Sequence, residues 1–397
     1  YYPVWLSYAT AQLSPFVRVR LVDAVAKGWS LNAVVSDAKA FRPDFVVVDT
    51  SWASLENDLA VMDILEEECV CEAVPFGVPF KTDDFALRRR LVPREKMGLD
   101  EVPFVSIVYE HFLNVEDYFQ TNVLHPHSMV FAGRGCPHRC TFCSRMDGNV
   151  NQMRSVDNVL DEILWTQTFL SQVREVLFED ATFTVNKRWT HKFCEAVQTR
   201  NVDFVWSCQV RADVSLKLLK SMHKARCRLV ICGFESGSDH ILRGIKKGLT
   251  VHRAKKFAKN VKKSGLMLQA DFIIGLPNET KETIRHTRKL IREISPDIVQ
   301  VSIATPYPRT EFYDWVKSNG FLLNNPPRYL DENGFQLCTI SYPELSAKEI
   351  QDAVDETLRS YYLSLRFAWR AFHQVFRKNG WQELKRLWRS AKAFQKH

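Results

Sequence analysis

The feature that most constrains the fold is a regular alternation of short apolar segments and longer helical stretches in residues 128–316. Six segments are predicted as strands: SMVFAG, EVLFED, DFVWSCQV, CRLVICGFE, MLQADFIIG and IVQVSIATP. Helices are predicted between them near residues 155–172, 188–199, 214–225, 238–262 and 280–293. Such alternation predicts an α/β fold with a parallel sheet. Six units are too few to close an eight-unit barrel, so we expect an open, partial (β/α)6 barrel with its active groups at the carboxyl ends of the strands.

A shorter alternation precedes the barrel. FVRVRLVDAVA is predicted as a strand, SLNAVVSDAKAF as a helix capped by Ser30, PDFVVVDTS as a buried strand and LENDLAVMDILEEE as a helix. Only about two strand–helix units are visible, so this region is expected to be a small, truncated Rossmann-like domain. The predicted division is 1–85 for this domain, 86–127 for a linker that wraps the next domain, 128–320 for the barrel and 321–397 for a mostly helical extension.

Charge is unevenly distributed along the chain. The protein has 54 Lys and Arg against 46 Asp and Glu, and residues 366–397 contain nine of the bases but one acid, Glu383. The remainder is therefore neutral in sum. Trp381, Leu384 and Trp388 follow helical spacing among basic residues, which indicates a basic amphipathic helix. Peripheral contact with an anionic membrane and docking on the protein body are the two interpretations, and a nucleic-acid partner ranks below both.

Three cysteines lie within eight residues in GRGCPHRCTFC: Cys136, Cys140 and Cys143. Thiolates are soft ligands for zinc, copper(I) or iron–sulfur clusters. Structural zinc requires four ligands, and His138 would have to fold back from inside this loop to be the fourth. Three cysteines on one loop favour a [4Fe–4S] cluster with one iron open to another ligand. Clustered thiols fit a reducing, cytoplasmic location better than a disulfide scaffold.

The pattern C-x3-C-x-aromatic-C, with Phe142 as the aromatic residue, resembles the signature of the radical S-adenosylmethionine (SAM) superfamily. The resemblance continues in segments near the ends of the predicted strands: FED, WSCQVRADV, GFESGSDHIL, DFIIGLPNET and ATPYPRTEFYDW. It is strongest with radical enzymes that carry an N-terminal cobalamin-binding domain. Among these, the anaerobic magnesium-protoporphyrin ester cyclases and the hopanoid-modifying enzymes are the most similar.

The resemblance implies a set of cofactors and residues. It implies that the three cysteines hold a [4Fe–4S] cluster, and that SAM contacts Phe142, Glu179, Asp180, Arg211, Glu235, Ser236 and Ile274. It also implies reduction by a donor such as flavodoxin or ferredoxin and formation of a 5′-deoxyadenosyl radical that attacks an unactivated carbon. The expected substrate is a small molecule, a lipid or a tetrapyrrole. Methyl transfer is expected if cobalamin binds, and a ring-forming or rearranging oxidation if it does not.

The sequence departs from these families in two respects. The nearest match to a D-x-H-x-x-G cobalt-ligand motif has Asp23 but no histidine, which leaves cobalamin binding open. Three glycines expected from the family are replaced by Arg226, Asn278 and Arg309. If the backbone must keep a positive φ there, a residue other than glycine is strained, and asparagine tolerates the conformation best.

Two other functions remain as alternatives at this stage. One is a tRNA-modifying radical SAM enzyme, although the extra cysteine-rich and RNA-binding domains of such enzymes are not visible. The other is a zinc or iron–sulfur module without catalytic activity. Five scattered cysteines are predicted to be apolar core residues: Cys194, Cys208, Cys227, Cys232 and Cys338. Cys69 and Cys71 could form a redox pair, but a structural role is favoured.

Overall fold

The barrel region forms a six-stranded sheet, as the alternation predicts. The computed structural model describes residues 2–77, 98–144, 150–200, 202–324, 327–331, 334–364 and 367. Within them the strands of this sheet lie in the order β3-β6-β7-β8-β9-β10, and every neighbouring pair is parallel. This sequential order of parallel strands with intervening helices confirms the expected α/β fold class with a partial (β/α)6 barrel.

The strands and helices have the following bounds. The strands are β1 Phe45–Thr50, β2 Glu72–Gly77, β3 His127–Val130, β4 Gly133–Arg134, β5 Gln152–Met153, β6 Glu175–Phe178, β7 Trp206–Val210, β8 Cys227–Glu235, β9 Met267–Ile274 and β10 Ile298–Ile303. The helices are α1 Val4–Leu13, α2 Leu31–Phe41, α3 Leu55–Cys69, α4 Val105–Phe112, α5 Val156–Phe169, α6 Lys187–Thr199, α7 Leu216–Lys224, α8 Asp239–Gly244, α9 Val251–Ser264, α10 Lys281–Ile294, α11 Glu311–Ser318 and α12 Ala347–Tyr362.

Most barrel helices begin at a capping side chain. A Ser, Thr or Asn oxygen accepts a hydrogen bond from a backbone N–H of the first turn in α5, α6, α7, α9, α10, α11 and α12. In α10 and α12 the contact is reciprocal, with Thr280 paired to Thr283 and Ser346 paired to Glu349. These contacts satisfy N–H groups that have no partner inside the helix, and they fix where each helix leaves the sheet.

The two faces of the sheet have different roles. Phe178 on β6 packs against Phe193 on α6, with ring centroids 5.6 Å apart, and Phe234 on β8 packs against Phe257 on α9 at 6.1 Å. Side chains alternate between faces along a strand, so the neighbouring positions point away from the helices. We call this second side of the sheet the inner wall.

The N-terminal region is less regular than predicted. FVRVRLVDAVA is not a strand: residues 14–19 are mostly exposed, with Phe16 83% exposed, and no strand lies beside them among the described residues. The strand PDFVVVDTS is present as β1, but its side chains are mostly half-buried rather than buried, because it pairs only with β2. The helix capped by Ser30 is confirmed.

Two further expectations need correction or qualification. The helix predicted over 238–262 is two helices, α8 and α9, separated by the turn that contains Lys247. The linker expected over 86–127 is described from residue 98 onward, where it contains α4. Tyr109 of α4 donates a hydrogen bond to the backbone oxygen of Met129 at 2.9 Å, so this part of the linker packs on the barrel.

The three positions where glycine was expected all have positive φ. The values are 68° at Arg226, 62° at Asn278 and 68° at Arg309. The backbone therefore adopts the left-handed conformation at all three positions without glycine, and the two arginines are under steric strain.

The C-terminal extension packs on the barrel through α12, where Tyr362 donates a hydrogen bond to the backbone oxygen of Val299 at 2.7 Å. The predicted basic helix around Trp381 and Trp388 lies outside the described residues. No helix in the described part of the chain is long and apolar enough to cross a membrane.

Candidate cofactor-binding site

The cysteine loop follows β3 at the carboxyl edge of the sheet. Gly135 precedes Cys136 with φ +82°, and a Cβ on Gly133 would come within 2.5 Å of the Gln152 backbone oxygen. The chain therefore needs glycine at both positions to enter the loop. At the far end, the backbone N–H of Thr141 donates to the Ile245 oxygen at 3.1 Å, and the N–H of Phe312 donates to the Thr141 oxygen at 3.0 Å. The loop is thus held against the turn after α8 and against the start of α11.

The donor set of this loop fits an iron–sulfur cluster better than a single metal ion. Cys136 is half-buried, Cys140 is buried and Cys143 is exposed. No group of His, Cys, Asp or Glu side chains in the described ranges is arranged to hold one metal ion. A [4Fe–4S] cluster is held by cysteine thiolates alone, and each thiolate binds a different iron. Thr141 Oγ1 is buried without a hydrogen-bond partner among the described residues, so this hydroxyl group can still form a hydrogen bond with a bound group.

Glu179 and Asp180 lie next to each other after β6 and point in different directions. Asp180 is buried, and its Oδ2 accepts a hydrogen bond from the N–H of Ala132 at 3.0 Å. This bond fixes the backbone that enters the cysteine loop. Glu179 continues the inner wall, where its Oε1 accepts a hydrogen bond from Gln209 Nε2 at 2.8 Å. Burial raises the pKa of Glu179, against the opposing effect of that hydrogen bond. Of the two, only Glu179 is directed toward the space that a cofactor would enter.

Glu235 ends β8 and forms a buried ion pair. Its Oε1 lies 2.6 Å from Lys247 Nζ, and the two side chains are 7% and 11% exposed. Burial lowers the pKa of Lys247, but the charges of Glu235 and Cys140 and the hydrogen bond to Glu235 together raise it above its ordinary value. Arg211, from the end of β7, donates a hydrogen bond to the Lys247 backbone oxygen. The ends of β7 and β8 are therefore joined to the cysteine loop through the Lys247 turn.

The other predicted SAM contacts are enclosed or packed against the protein core. Ser236 is fully buried, and its hydroxyl lies 3.4 Å from that of Thr287 on α10. Ile274 is fully buried at the end of β9, so its side chain has no open surface. Phe142 is half-buried and packs against the main core. The structure thus brings Glu179, Arg211 and Glu235 to the open edge, while these three residues contribute packing around it.

The inner wall carries polar side chains that the sequence analysis did not select. Gln269 Nε2 donates to Asp271 Oδ1 at 2.9 Å and lies 3.3 Å from Gln300 Oε1. Asp271 pairs in register with Gly233 on one side and Gln300 on the other. Burial raises the pKa of Asp271 to about 7, with further contributions from Glu235 and Glu179. These carboxyl groups therefore face a common space.

Three functional candidates were missed in the sequence: Lys247, Asp271 and Gln209. Asp271 and Gln209 could have been found in the sequence, because each is a polar residue within a mostly apolar strand segment, ADFIIG and WSCQV. Lys247 could not, because it lies in a short turn within a stretch that was predicted as one continuous helix.

Comparison with known proteins agrees with this geometry. Residues 130–291 match the family described as the radical SAM superfamily. Residues 130–291 therefore form a radical SAM domain, a domain that uses a [4Fe–4S] cluster and SAM, and the chain is an enzyme.

The relatives extend the match beyond this domain. The chain is 28% identical over 371 residues to an uncharacterized methyltransferase of Pyrococcus horikoshii, covering 81% of this chain and 80% of that protein. It is 30% identical over 186 residues to the anaerobic magnesium-protoporphyrin IX monomethyl ester cyclase of Rubrivivax gelatinosus, covering 45% of this chain but only 33% of the cyclase.

Two solved structures share the fold. The radical SAM methyltransferase TsrM from Kitasatospora setae, solved with tryptophan and a SAM analogue, has a TM-score of 0.63 at 15% identity. It covers 80% of this chain and 73% of its own. The cobalamin-dependent radical SAM enzyme OxsB, solved with aqua-cobalamin, has a TM-score of 0.67 at 14% identity, with coverage of 98% and 68%. At such identities the likeness is one of fold.

Proposed function

We propose that Cys136, Cys140 and Cys143 hold a [4Fe–4S] cluster whose fourth iron binds SAM, and that the enzyme modifies an unactivated carbon of a small molecule. The carrying observation is the position of the cysteine loop, which is hydrogen-bonded to the turn that also places Lys247 against Glu235. When bound, the reduced cluster and SAM supply a 5′-deoxyadenosyl radical that removes a hydrogen atom from such a carbon.

The chain's own residues would bind and orient SAM. Glu179 offers a carboxylate on the inner wall for the amino group of the methionine moiety. Arg211 offers a cation for its carboxylate, and Glu235 offers hydrogen-bond acceptors for the ribose. The Glu235–Lys247 pair holds that carboxylate in one position, which preorganises the site. We assign Asp180, Ser236, Ile274 and Phe142 to supporting this arrangement through the backbone contact and the packing described above.

The inner wall favours a substrate that makes hydrogen bonds. Asp271, Gln209 and Gln300 make hydrogen bonds to Gln269 or Glu179, but their remaining donors and acceptors would stay unpaired against a purely hydrocarbon substrate. Unpaired polar groups oppose binding. A tetrapyrrole or another nitrogen-containing molecule meets this requirement better than a hydrocarbon lipid does. The relatives named as a cyclase and a methyltransferase support ring formation and methyl transfer as the two candidate outcomes.

Cobalamin would decide between these outcomes, because it is the methyl carrier in the transfer reaction. The described residues 2–77 contain no histidine, so this region supplies no imidazole ligand for cobalt. Two buried polar atoms near the carboxyl end of β1, Trp52 Nε1 and Asp58 Oδ2, have no partner among the described residues. The carboxyl edge of a parallel sheet is where such domains bind their ligands. These residues fit a corrinoid held without a protein imidazole.

Anaerobic reconstitution tests the central proposal. The wild-type protein should bind iron and sulfide, show the brown absorbance of a cluster and release 5′-deoxyadenosine from SAM with dithionite. Cys140→Ala should abolish all three, whereas the matched variant Cys71→Ala, in the N-terminal region, should retain them. Zinc without iron or sulfide in the wild-type protein would overturn the proposal. Supplying cobalamin in the same preparation shows whether a corrinoid spectrum accompanies the cluster.

A further inference from the structure

The solvent-facing surface of three neighbouring barrel helices is strongly basic. Helices α7, α9 and α10 contain three, six and five Lys or Arg residues, against no acid in α7, none in α9 and two in α10. The whole chain has an excess of only eight positive charges. The part of the chain before the C-terminal tail is therefore neutral in sum but polarised in space. We call the exposed basic side chains of α7 and α9 the basic face.

Helix α9 carries most of this charge. Its six basic residues are all exposed: Arg253, Lys255, Lys256, Lys259, Lys262 and Lys263. Lysines four residues apart, such as Lys255 and Lys259, repel one another, and a cation in the first turn opposes the helix dipole. Lys255 is paired with Glu293 on α10 at 2.5 Å. Lys256, Lys259 and Lys263 have no acidic partner among the described residues. The charge pattern thus weakens the helix locally, and these three lysines have no counter-charge within the described protein.

The basic face begins beside the cysteine loop. Thr141, between Cys140 and Cys143, donates its N–H to the Ile245 oxygen, five residues before the Thr250 cap of α9. A helix of 14 residues is about 21 Å long, so the first turn of α9 is the part nearest the loop and the later turns lead away from it. A partner bound on this face would approach the cluster site from outside the barrel.

The position of the face restricts the kind of partner. Phe257 of α9 packs against Phe234 on the helix-covered side of the sheet, so the basic face lies on the opposite side from the inner wall. A molecule bound there does not reach Asp271 or Gln209 and is not placed as a substrate. A partner that delivers an electron to the cluster needs only proximity to the cysteine loop.

We propose that the basic face of α7 and α9 is the docking surface for a small acidic electron-transfer protein of the flavodoxin type. This inference rests on the proposed cluster site. In the step served by docking, one electron passes from the reduced flavin to the cluster. The flavin is oxidised by one electron, and the cluster is reduced from the 2+ to the 1+ state. Complementary charge steers such an encounter and makes it depend on salt.

The test reverses charge on one stripe of α9. The α9 variant carries three substitutions on one side of the helix: Lys256→Glu, Lys259→Glu and Lys263→Glu. The control variant makes the same change in net charge at exposed sites elsewhere: Lys27→Glu, Lys317→Glu and Lys348→Glu. A bacterial flavodoxin is the probe. Its affinity is measured by calorimetry, and 5′-deoxyadenosine formation is measured with reduced flavodoxin and, separately, with dithionite.

We expect the α9 variant to bind flavodoxin about tenfold more weakly and to lose a similar factor in the flavodoxin-driven rate. Its dithionite-driven rate should equal that of the wild type, and the control should behave as wild type in every assay. Equal affinity for flavodoxin in the two variants overturns the docking surface. The docking surface is also overturned if the α9 variant binds a tRNA probe more weakly than the wild type but keeps the wild-type flavodoxin-driven rate. That result would assign the basic face to nucleic acid. Absence of dithionite-driven product in the wild type would instead contradict the cluster proposal.

Discussion

Replacing Lys247 by methionine should destabilise the protein far more than an ordinary lysine substitution. Lys247 Nζ lies 2.6 Å from Glu235 Oε1, and both side chains are almost completely enclosed. Methionine keeps the length of the lysine stem but removes the charge, so the Glu235 carboxylate would stay buried without its counter-ion. Breaking a buried pair in this way costs about 3–5 kcal/mol, because the remaining charge has lost its solvation as well as its partner.

The double variant separates the charge effect from packing. Lys247→Met/Glu235→Gln removes both charges and should recover most of the loss, which gives a coupling energy of about 2 kcal/mol or more. Lys246→Met is the matched control, since Lys246 pairs with Glu311 at 2.6 Å but both side chains are about half exposed. Breaking that surface pair should cost about 0–1 kcal/mol.

The assay is equilibrium unfolding by denaturant under anaerobic conditions at neutral pH, with the slope of each transition compared to confirm a common unfolded state. If Lys247→Met costs no more than Lys246→Met, the pair is not a buried determinant of the site. The single variant Glu235→Gln is measured as well. If the double variant loses as much free energy of unfolding as Lys247→Met and Glu235→Gln together, the two residues are not coupled and the argument from burial fails.

Three further predictions follow from backbone strain, buried charge and close contact. Arg226→Gly should raise the free energy of unfolding by about 0.5–1 kcal/mol, because glycine adopts a positive φ without steric strain and only the exposed ion pair with Asp203 is lost. Arg226→Ala should give no such gain in the same denaturation assay, because alanine keeps the strain. Burial raises the pKa of Asp271 to about 7 in the folded protein, so the unfolded chain releases this proton at lower pH than the folded protein does. The free energy of unfolding of the wild type should therefore fall relative to that of Asp271→Asn as pH rises from about 4 to 7, by at most about 1.4 kcal/mol per pH unit. Parallel pH profiles of the two proteins would contradict this. Gly233→Ala should weaken SAM binding in calorimetry, since a Cβ there would lie 2.3 Å from Glu235 Oε1, and unchanged affinity would remove Glu235 from the SAM site.

The barrel was predictable because its sequence is locally consistent. Each of the six apolar segments is short, buried and separated from the next by a helical stretch, so local preference and tertiary structure agree. The replaced glycines were equally informative. Positive φ at Arg226 and Arg309 shows that the backbone adopts the left-handed conformation there without glycine.

The N-terminal region was predicted less well, for a physical reason. FVRVRLVDAVA has the alternation and β-branched content of a strand, but a strand forms only where another strand accepts its hydrogen bonds. In the described structure β1 and β2 pair with each other alone, and the segment begins with three exposed residues, 16–18. The burial expected for PDFVVVDTS failed for the same reason, since two strands cannot enclose one another.

The site was only partly visible in the sequence because its chemistry depends on turns. Glu235 could be selected as an acid after a buried strand, with the expectation that it needs a partner. The partner, Lys247, lies 12 residues away in the turn between α8 and α9, and that turn was hidden inside one predicted helix. Helix ends are the least certain feature of a periodic pattern, and here a helix end carries the counter-ion.

The proposed sites for SAM, the substrate and the electron donor lie on three different parts of the barrel around one proposed cluster site. On the functions proposed above, SAM binds at the carboxyl edge of the sheet, the substrate approaches along the polar inner wall, and the electron arrives through the basic face on the helix-covered side. The separation has a physical advantage, because a site that excludes water around a reactive radical cannot also admit a protein donor. It also predicts how variants divide. Changes on α9 should alter electron supply without altering SAM affinity, whereas changes at Glu235 or Lys247 should alter SAM affinity whichever reductant is used.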